Sequence, residues 1–282
     1  MYLKHFSLKR LPFDLLPDPK YLYMGETHDS ALTGLRYGVE SGAGFTIITG
    51  AVGSGKTTLI RAILRDLAIL NEEGSEFIIG LTSNTHADFG SLLEWILLSF
   101  GLDYKNMSEM ERYENLTNFL IGNYSKGART VIIIDEAQNL SLNALEKLRV
   151  ISNLNADHHR ILQIILAGQS EFRDTLMLPE LKQFAQRVTV DYHLGPLPLE
   201  DVGPYIKHRM KIAGGDNDVF TDGAIEAIGG YANGVPRLIN ILCNSALVYA
   251  YADDKLTVNK DIVLSVVEDE NASGLLSYGK NN

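Results

Sequence analysis

A glycine-rich stretch early in the chain constrains the fold more than any other feature. Residues 50–57 fit the pattern G-x-x-x-x-G-K-[ST], in which a strand turns into a helix around a phosphate group. The apolar run at 45–48 is typical of a buried strand, and the apolar spacing at 58–64 is typical of a helix. The stretch therefore predicts a phosphate-binding loop rather than an accidental glycine-rich turn. Its residues and the first one after it are Gly50, Ala51, Val52, Gly53, Ser54, Gly55, Lys56, Thr57 and Thr58.

Each residue type in this phosphate loop has a physical role. Glycines let successive backbone N–H groups converge on an anion, and the positive end of the following helix adds to the attraction. Lys56 is predicted to reach the β- and γ-phosphates of a nucleotide, and the Thr57 hydroxyl to bind Mg²⁺. The whole loop, together with Thr58, is therefore a candidate nucleotide site.

Apolar runs and helical patterns alternate through the first two thirds of the chain. The runs predict five strands, at 45–48, 76–81, 130–134, 161–167 and 188–192. A helical stripe from Phe89 to Phe100 lies between two of them, with Thr85 or Asp88 as its candidate N-cap. Because several strands are continuously apolar, they predict an α/β fold with a mostly parallel five-stranded sheet covered by helices.

The pattern changes at residues 195–198, where two prolines follow a glycine. Beyond that point only helical periodicities appear, at 199–213, 221–232, 236–252 and 259–268. We therefore expect an α/β domain over 1–195, whose first 40 residues hold a proline-rich strap (residues 12–19) and a helix. A small all-α lid over 196–268 and a disordered tail over 269–282 are expected to follow.

Composition limits the classes of function. The chain has 35 acidic and 25 basic residues and a formal net charge of −10, which disfavours strong non-specific binding to DNA. No apolar run approaches the length of a membrane span, and the N-terminus lacks the apolar core of a signal peptide. Cys243 is the single cysteine, so no intrachain disulfide can form. These observations favour a cytoplasmic protein.

An acidic pair, Asp135 and Glu136, directly follows the third predicted strand. In an open α/β sheet ligands bind at the carboxyl ends of the strands, so the pair is expected beside the phosphate loop. Asp135 is predicted to bind Mg²⁺ through its water shell, and Glu136 to orient and polarise the attacking water. A surface acidic turn is the alternative, since the pair is a weak signal without the loop.

This combination of motifs, followed by a helical lid, resembles the AAA+ P-loop ATPases. It is still more similar to the bacterial ATPases of the general secretion pathway A component (ExeA-like) family, which has relatives in pilus-biogenesis and exosortase loci. The first and last matching blocks make the resemblance more specific than AAA+ in general. The blocks are Met1–Leu3 with His5, Phe6 and Leu8, Pro12–Phe13, Pro17–Pro19, Tyr21–Tyr23, the phosphate loop, Ile134–Gln138, Ala167–Gln169, Gln186–Arg187 and Gly234–Arg237.

The resemblance implies three further roles. Gln169 falls at the sensor-1 position, where a polar side chain contacts the γ-phosphate or the attacking water; a plain turn residue is the alternative. Arg237 matches sensor 2, which would report bound γ-phosphate to the lid; a solvated arginine at the start of a helix is the alternative. Arg187 matches the arginine finger that completes a neighbour's site, with Arg160 and Arg173 as rivals.

The resemblance also implies a function. The expected protein is an ATP- and Mg²⁺-dependent ATPase that forms a homo-oligomeric ring or filament. It would remodel or regulate a protein partner in an envelope secretion, pilus or polysaccharide-export system, either in the cytoplasm or peripheral to the inner membrane through that partner. Two alternatives stay open: a DNA-dependent regulator of transposition, and a slow nucleotide-dependent signalling switch.

The chain departs from the family pattern at its C-terminus. Longer relatives continue into a membrane span and a peptidoglycan-binding domain, whereas this sequence stops at Asn282. We therefore expect a shorter, soluble relative or a truncated piece.

Overall fold

The structure of the protein is a computed structural model, which describes residues 1–42, 44–83, 90–155, 161–216 and 218–273. The chain divides into an α/β unit, Asp29–Val52 with Leu59–Leu194, and a helical unit, Met1–His28 with Gly53–Thr58 and Gly195–Asn282. The division at Gly195 coincides with the change from mixed to purely helical patterns in the sequence. The grouping of the first 28 residues with the helical unit differs from the expected α/β domain over 1–195.

Five parallel strands form the sheet of the α/β unit, which confirms the predicted fold class. The described strands are β1 Phe45–Gly50, β2 Phe77–Thr82, β3 Arg129–Ile134, β4 Leu162–Gly168 and β5 Val188–Leu194. Their spatial order is β2-β3-β4-β1-β5, and every neighbouring pair is parallel. Each strand differs from its predicted range by one or two residues at its ends.

The burial of each strand agrees with its position in the sheet. The strands β1, β3 and β4 are buried at nearly every position, as expected where helices cover both faces of a parallel sheet. At the edge, β5 alternates between half-buried and exposed residues. Thr49 of β1 pairs with Gly168 of β4, and Ile134 of β3 pairs with Leu166 of β4. The carboxyl ends of β1, β3 and β4 therefore lie side by side.

Helices connect these strands. In the described ranges they are α1 Glu26–Ser41, α2 Lys56–Glu72, α3 Leu92–Ser99, α4 Glu109–Tyr124, α5 Leu142–Ile151, α6 Ser170–Leu176 and α7 Lys182–Ala185. The N-cap of α3 is Ser91, whose side chain accepts from the Glu94 N–H in a capping box. The N-cap candidates predicted from the sequence, Thr85 and Asp88, lie outside the described residues, as does Phe89.

The helical unit contains four long helices in its described part. They are α8 Leu199–Ile212, α9 Asp222–Ala232, α10 Pro236–Ala252 and α11 Lys260–Ser273. Thr221 caps α9, because its side chain accepts from the Ala224 N–H. The last helix continues to Ser273, beyond the predicted end at 268, and residues 274–282 lie outside the described part of the chain.

The N-terminal residues belong to the core of this helical unit. Phe6 and Phe13 are buried in one cluster with residues of α8 to α11, and Phe13 is 2% exposed. Burial of aromatic side chains is a large source of stability, so the N-terminus is an integral part of the unit. Within the described ranges, no helix combines the length and the apolar content needed to cross a membrane.

Candidate functional site

The phosphate loop starts where β1 ends, at Gly50, and leads into α2 at Lys56. Gly53 and Gly55 have φ angles of +81° and +106°, so two glycines of the motif occupy conformations that other residues adopt only with strain. The first turn of α2 contains no acidic residue. The positive end of the helix dipole is therefore not neutralised by a neighbouring carboxylate of that turn, as an anion site requires.

Side chains along the loop differ in burial. Lys56 is buried, Thr57 and Thr58 are half-buried, and Ala51 and Val52 are exposed. Ser54 is also buried, and its Oγ is one of the buried atoms without a hydrogen-bond partner among the described residues. A buried hydroxyl without a partner is costly, and a ligand or a water at the loop would relieve that cost.

Arg237 lies directly against the loop within the helical unit. It is the second residue of α10, and its backbone N–H donates to the Gly53 carbonyl at 3.2 Å. A Cβ atom at Gly53 would lie 2.4 Å from the Arg237 Cβ, so only glycine permits this approach. The proposed sensor-2 residue therefore contacts the phosphate loop through its backbone, and its side chain is exposed.

The backbone conformation and the close surroundings of residue 234, just before this helix, require a glycine. Its φ is +70°, and a Cβ atom there would lie 2.0 Å from the Leu197 carbonyl oxygen. The Leu197 N–H in turn donates to the Gly234 carbonyl at 2.8 Å. The glycine thus fixes the start of α10, and with it Arg237, within the helical unit.

His28, which the sequence analysis did not single out, also contacts the loop. Its ring is 3% exposed, and Nε2 lies 3.1 Å from the Ser54 carbonyl oxygen. Burial lowers the pKa of His28, while the hydrogen bond to Ser54 and the charge of Asp201 oppose this. No motif spacing marks a lone histidine in the first turn of a helix, so the sequence held no signal for it.

The acidic pair follows β3 in the α/β unit, as predicted. Asp135 is buried, and its backbone N–H donates to the Thr82 carbonyl at 2.9 Å. The Glu136 N–H donates to Asp135 Oδ1 at 2.9 Å. Glu136 has left-handed backbone angles, φ 55° and ψ 41°, which cost a non-glycine residue about 1–2 kcal/mol. Strain of this kind is concentrated at functional sites.

Gln138 connects the acidic pair to the end of β4. Its Nε2 donates to Glu136 Oε2 at 2.5 Å, and its Oε1 accepts from the Gln169 N–H at 3.0 Å. Gln169 itself stands at the N-cap position of α6 and does not use its side chain as a cap. The amide of Gln138 therefore orients the Glu136 carboxylate, a role that the sequence analysis missed although the residue belongs to a matching block.

In the α/β unit, Gly50, Asp135 and Gln169 lie together at the carboxyl end of the sheet. Gly50 is the last residue of β1, Asp135 follows β3 and Gln169 follows β4. Arg187 lies at the amino end of the sheet, because it precedes Val188, which pairs with Phe45 at the start of β1. The five residue steps from Phe45 to Gly50 span about 17 Å.

The three candidate finger arginines have different surroundings. Arg187 is half-buried and donates to Ser152 Oγ at 2.8 Å, at the C-terminal end of α5. Arg173 pairs with Asp191 at 2.7 Å on the surface. Arg160 lies outside the described residues. The structure therefore does not bring any described candidate finger to the start of the phosphate loop of its own chain.

A parallel sheet with a phosphate loop directly after β1 defines an AAA+ P-loop protein. The fold and the loop together support nucleotide binding. The AAA domain family (AAA_22) matches residues 39–176. General secretion pathway protein A of Aeromonas hydrophila is 38% identical over 281 residues, which are 99% of this chain and 50% of that protein. The chain belongs to the ExeA-like family of AAA+ proteins, and it spans about half the length of this curated relative.

Solved structures agree with the fold. The Aeropyrum pernix ORC2 protein, solved as ADPNP–ADP complexes, superimposes with a TM-score of 0.69 at 19% identity, over 95% of this chain and 75% of that one. Domain III of the Thermotoga maritima replication initiation protein DnaA gives a TM-score of 0.58 at 19% identity, over 91% of this chain and 97% of that one. At such identities the likeness shows the fold.

Proposed function

We propose that this chain is a Mg²⁺-dependent ATPase whose ATP-bound form assembles, and whose hydrolysis cycle remodels or regulates a partner in an envelope secretion, pilus or polysaccharide-export system. The observation that carries the proposal is the hydrogen-bonded network of Glu136, Gln138 and Gln169. This network lies at the carboxyl end of the sheet, where the phosphate loop also begins. The secretion assignment rests on the name of the Aeromonas relative.

The loop has the properties that a nucleotide phosphate requires. Two left-handed glycines shape it, a helix without a first-turn acid follows it, and the buried Ser54 hydroxyl lacks a partner among the described residues. Lys56 supplies the positive charge for the β- and γ-phosphates, and the loop residues Gly50–Thr57 with Thr58 bind them. ATP is the nucleotide that the family implies.

Magnesium needs oxygen ligands, and it keeps several waters in sites that include substrate phosphates. The Thr57 hydroxyl and the Asp135 carboxylate are the protein oxygens proposed to hold it. When bound, the ion neutralises charge on the phosphates. Within the described ranges no cluster of three metal-ligating side chains occurs, which suits a site completed by the nucleotide and water.

Hydrolysis is assigned to Glu136, with help from two glutamines. The Gln138 amide donates to Glu136 Oε2 and so leaves Oε1 to orient and polarise the attacking water. The Gln169 side chain is not used as a helix cap, and it is proposed to contact the γ-phosphate or that water. Arg237, held against Gly53, is proposed to report the γ-phosphate to the lid.

Arg187 is proposed to act on a second copy of the chain. Because it lies at the amino end of the sheet, opposite to Gly50, the proposed finger role requires a neighbour's site. A homo-oligomer, ring or filament, follows from this assignment. We propose that the protein works in the cytoplasm or at the inner membrane through its partner.

The first experiment separates binding from hydrolysis. Glu136→Gln should lower kcat by about 10²–10⁴-fold while ATP stays bound, and Lys56→Ala should weaken nucleotide binding itself. Glu171→Gln and Lys182→Ala alter exposed residues of the same types and serve as controls. Unchanged turnover in both site variants would contradict the site assignment.

The second experiment addresses assembly and the other functions. The ATPase rate per subunit should rise with protein concentration and fall in Arg187→Ala, but not in Arg173→Ala; a rate independent of concentration counts against a finger in trans. Salt-sensitive DNA binding that needs an ATP analogue would favour the transposition regulator. Persistence of bound ATP without any oligomer would favour the signalling switch.

A further inference from the structure

The ring of His28 is fixed in one protonation form by its surroundings in the helical unit. Its Nε2 lies 3.1 Å from the Ser54 carbonyl oxygen, and a carbonyl only accepts hydrogen bonds. Nε2 must therefore carry the proton and donate it. Nδ1, which lies 3.4 Å from Thr27 Oγ1, is then the acceptor nitrogen.

The environment keeps this ring uncharged. Burial lowers the pKa of His28 from its ordinary value of 6.5, so the neutral ring predominates at neutral pH. A neutral imidazole carries a single N–H, and here that N–H is directed to the loop. The ring is therefore a hydrogen-bond donor of defined direction rather than a positive charge next to the phosphate loop.

The contact with Ser54 also determines the next residue. Because a trans peptide is planar, its carbonyl and its N–H point in opposite directions. Holding the Ser54 carbonyl on His28 turns the Gly55 N–H away from the ring. Gly55 has φ +106°, and a Cβ atom there would lie 3.0 Å from His28 Nε2, so the ring also fills the space that a side chain would need.

We propose that His28 is a positioning residue of the phosphate loop, which holds the Ser54–Gly55 peptide so that the Gly55 N–H is set for the phosphates of a nucleoside di- or triphosphate. Binding of such a nucleotide rests on the proposed function. The positioning itself does not, because it is a property of the free protein.

Two substitutions distinguish a hydrogen bond from simple packing. Glutamine at position 28 can place an amide N–H near the position of Nε2, whereas asparagine is one bond shorter and cannot reach it. We expect His28→Asn to weaken ADP affinity about tenfold, the effect of one lost hydrogen bond, and His28→Gln to stay within threefold of the parent. The control is His208→Met, a half-buried histidine of the same unit.

Affinity is measured by titration with a fluorescent ADP, and amide exchange of residues 53–58 is measured in the nucleotide-free protein. Faster exchange of this segment in His28→Asn, restored in His28→Gln and absent in His208→Met, supports the positioning role. Equal exchange in the parent and His28→Asn, or equal loss in the Asn and Gln variants, overturns it. A parent protein that binds no ADP refutes the proposed function alone, since the exchange measurement still decides the role of His28.

Discussion

The buried guanidinium of Arg209 connects the N-terminal strap to α8, and its removal should destabilise the helical unit. Nε donates to the Pro12 carbonyl at 2.6 Å, one terminal nitrogen to the Asp14 carbonyl at 3.0 Å and the other to Tyr205 Oη at 3.0 Å. The guanidinium also stacks 4.8 Å from the centre of the Tyr21 ring. Each hydrogen bond from a charged group contributes about 1.5–3 kcal/mol, and such contributions are not additive.

We therefore expect Arg209→Met to lower the free energy of unfolding by about 3–5 kcal/mol, a large part of the stability of an ordinary domain. The loss stays below the simple sum because Asp14 is exposed and its carbonyl can bind water instead. Arg209→Lys should recover only part of it, since an ammonium group cannot reproduce three bonds in the plane of a guanidinium. Arg10→Met, at an exposed arginine near the strap, is the matched control.

The assay is urea unfolding followed by circular dichroism, combined with amide exchange of the strap. Trp95, the only tryptophan, belongs to the α/β unit, so its fluorescence reports the unfolding of that unit separately. We expect Arg209→Met to shift the dichroism transition to lower urea and to speed exchange of the strap. Equal transitions and equal exchange in Arg209→Met and Arg10→Met would show that the Arg209 guanidinium does not hold the strap.

Two further predictions concern the loop and pH. Gly53→Ala should weaken nucleotide affinity at least tenfold, because the new methyl group meets Arg237, whereas Gly74→Ala, at φ +100° with open space around it, should leave affinity unchanged in the same titration. Burial lowers the pKa of His28 and His208 in the folded protein. Just below pH 6.5 the unfolded chain therefore binds more protons than the folded protein does. The free energy of unfolding should fall as the pH drops through that value. Urea titrations between about pH 7.5 and 5.5 should show this decline, and His28→Gln should reduce it; a steeper decline in that variant would contradict the assignment.

Local patterns were sufficient for most of the fold. The strands of the sheet and the helices after residue 195 have strong apolar periodicity, because each buries a continuous row of side chains. The helix α4 was not predicted, although its sequence carries the signal of a helix. Leu116 and Leu120 are buried along it, and Tyr113, Phe119 and Tyr124 pack against the same core at helical spacing. Its start is also marked by the Ser108–Glu111 capping box.

Part of the candidate site was likewise predictable from the sequence, and part was not. The phosphate loop and the acidic pair were predicted because their chemistry is encoded by neighbouring residues. The contacts of His28 with Ser54 and of Gln138 with Gln169 depend on how separate segments pack, and a single sequence does not record that packing. The strained backbone of Glu136 was not predictable either, because the left-handed conformation is unfavourable for glutamate and is imposed by its surroundings.

Hydrogen bonds in the helical unit link the strap to the phosphate loop. Tyr205 Oη, which accepts from Arg209, donates to Asn240 Oδ1 at 2.9 Å, and Asn240 lies on α10. The same helix carries Arg237, whose N–H donates to the Gly53 carbonyl. Because each of these residues is held by the next, a displacement of α10 at the loop changes the contacts that hold the strap. The N-terminal strap and the Gly234–Arg237 block, which both carry the family resemblance, therefore belong to one hydrogen-bonded network, and this gives a physical reason for their joint occurrence in the chain.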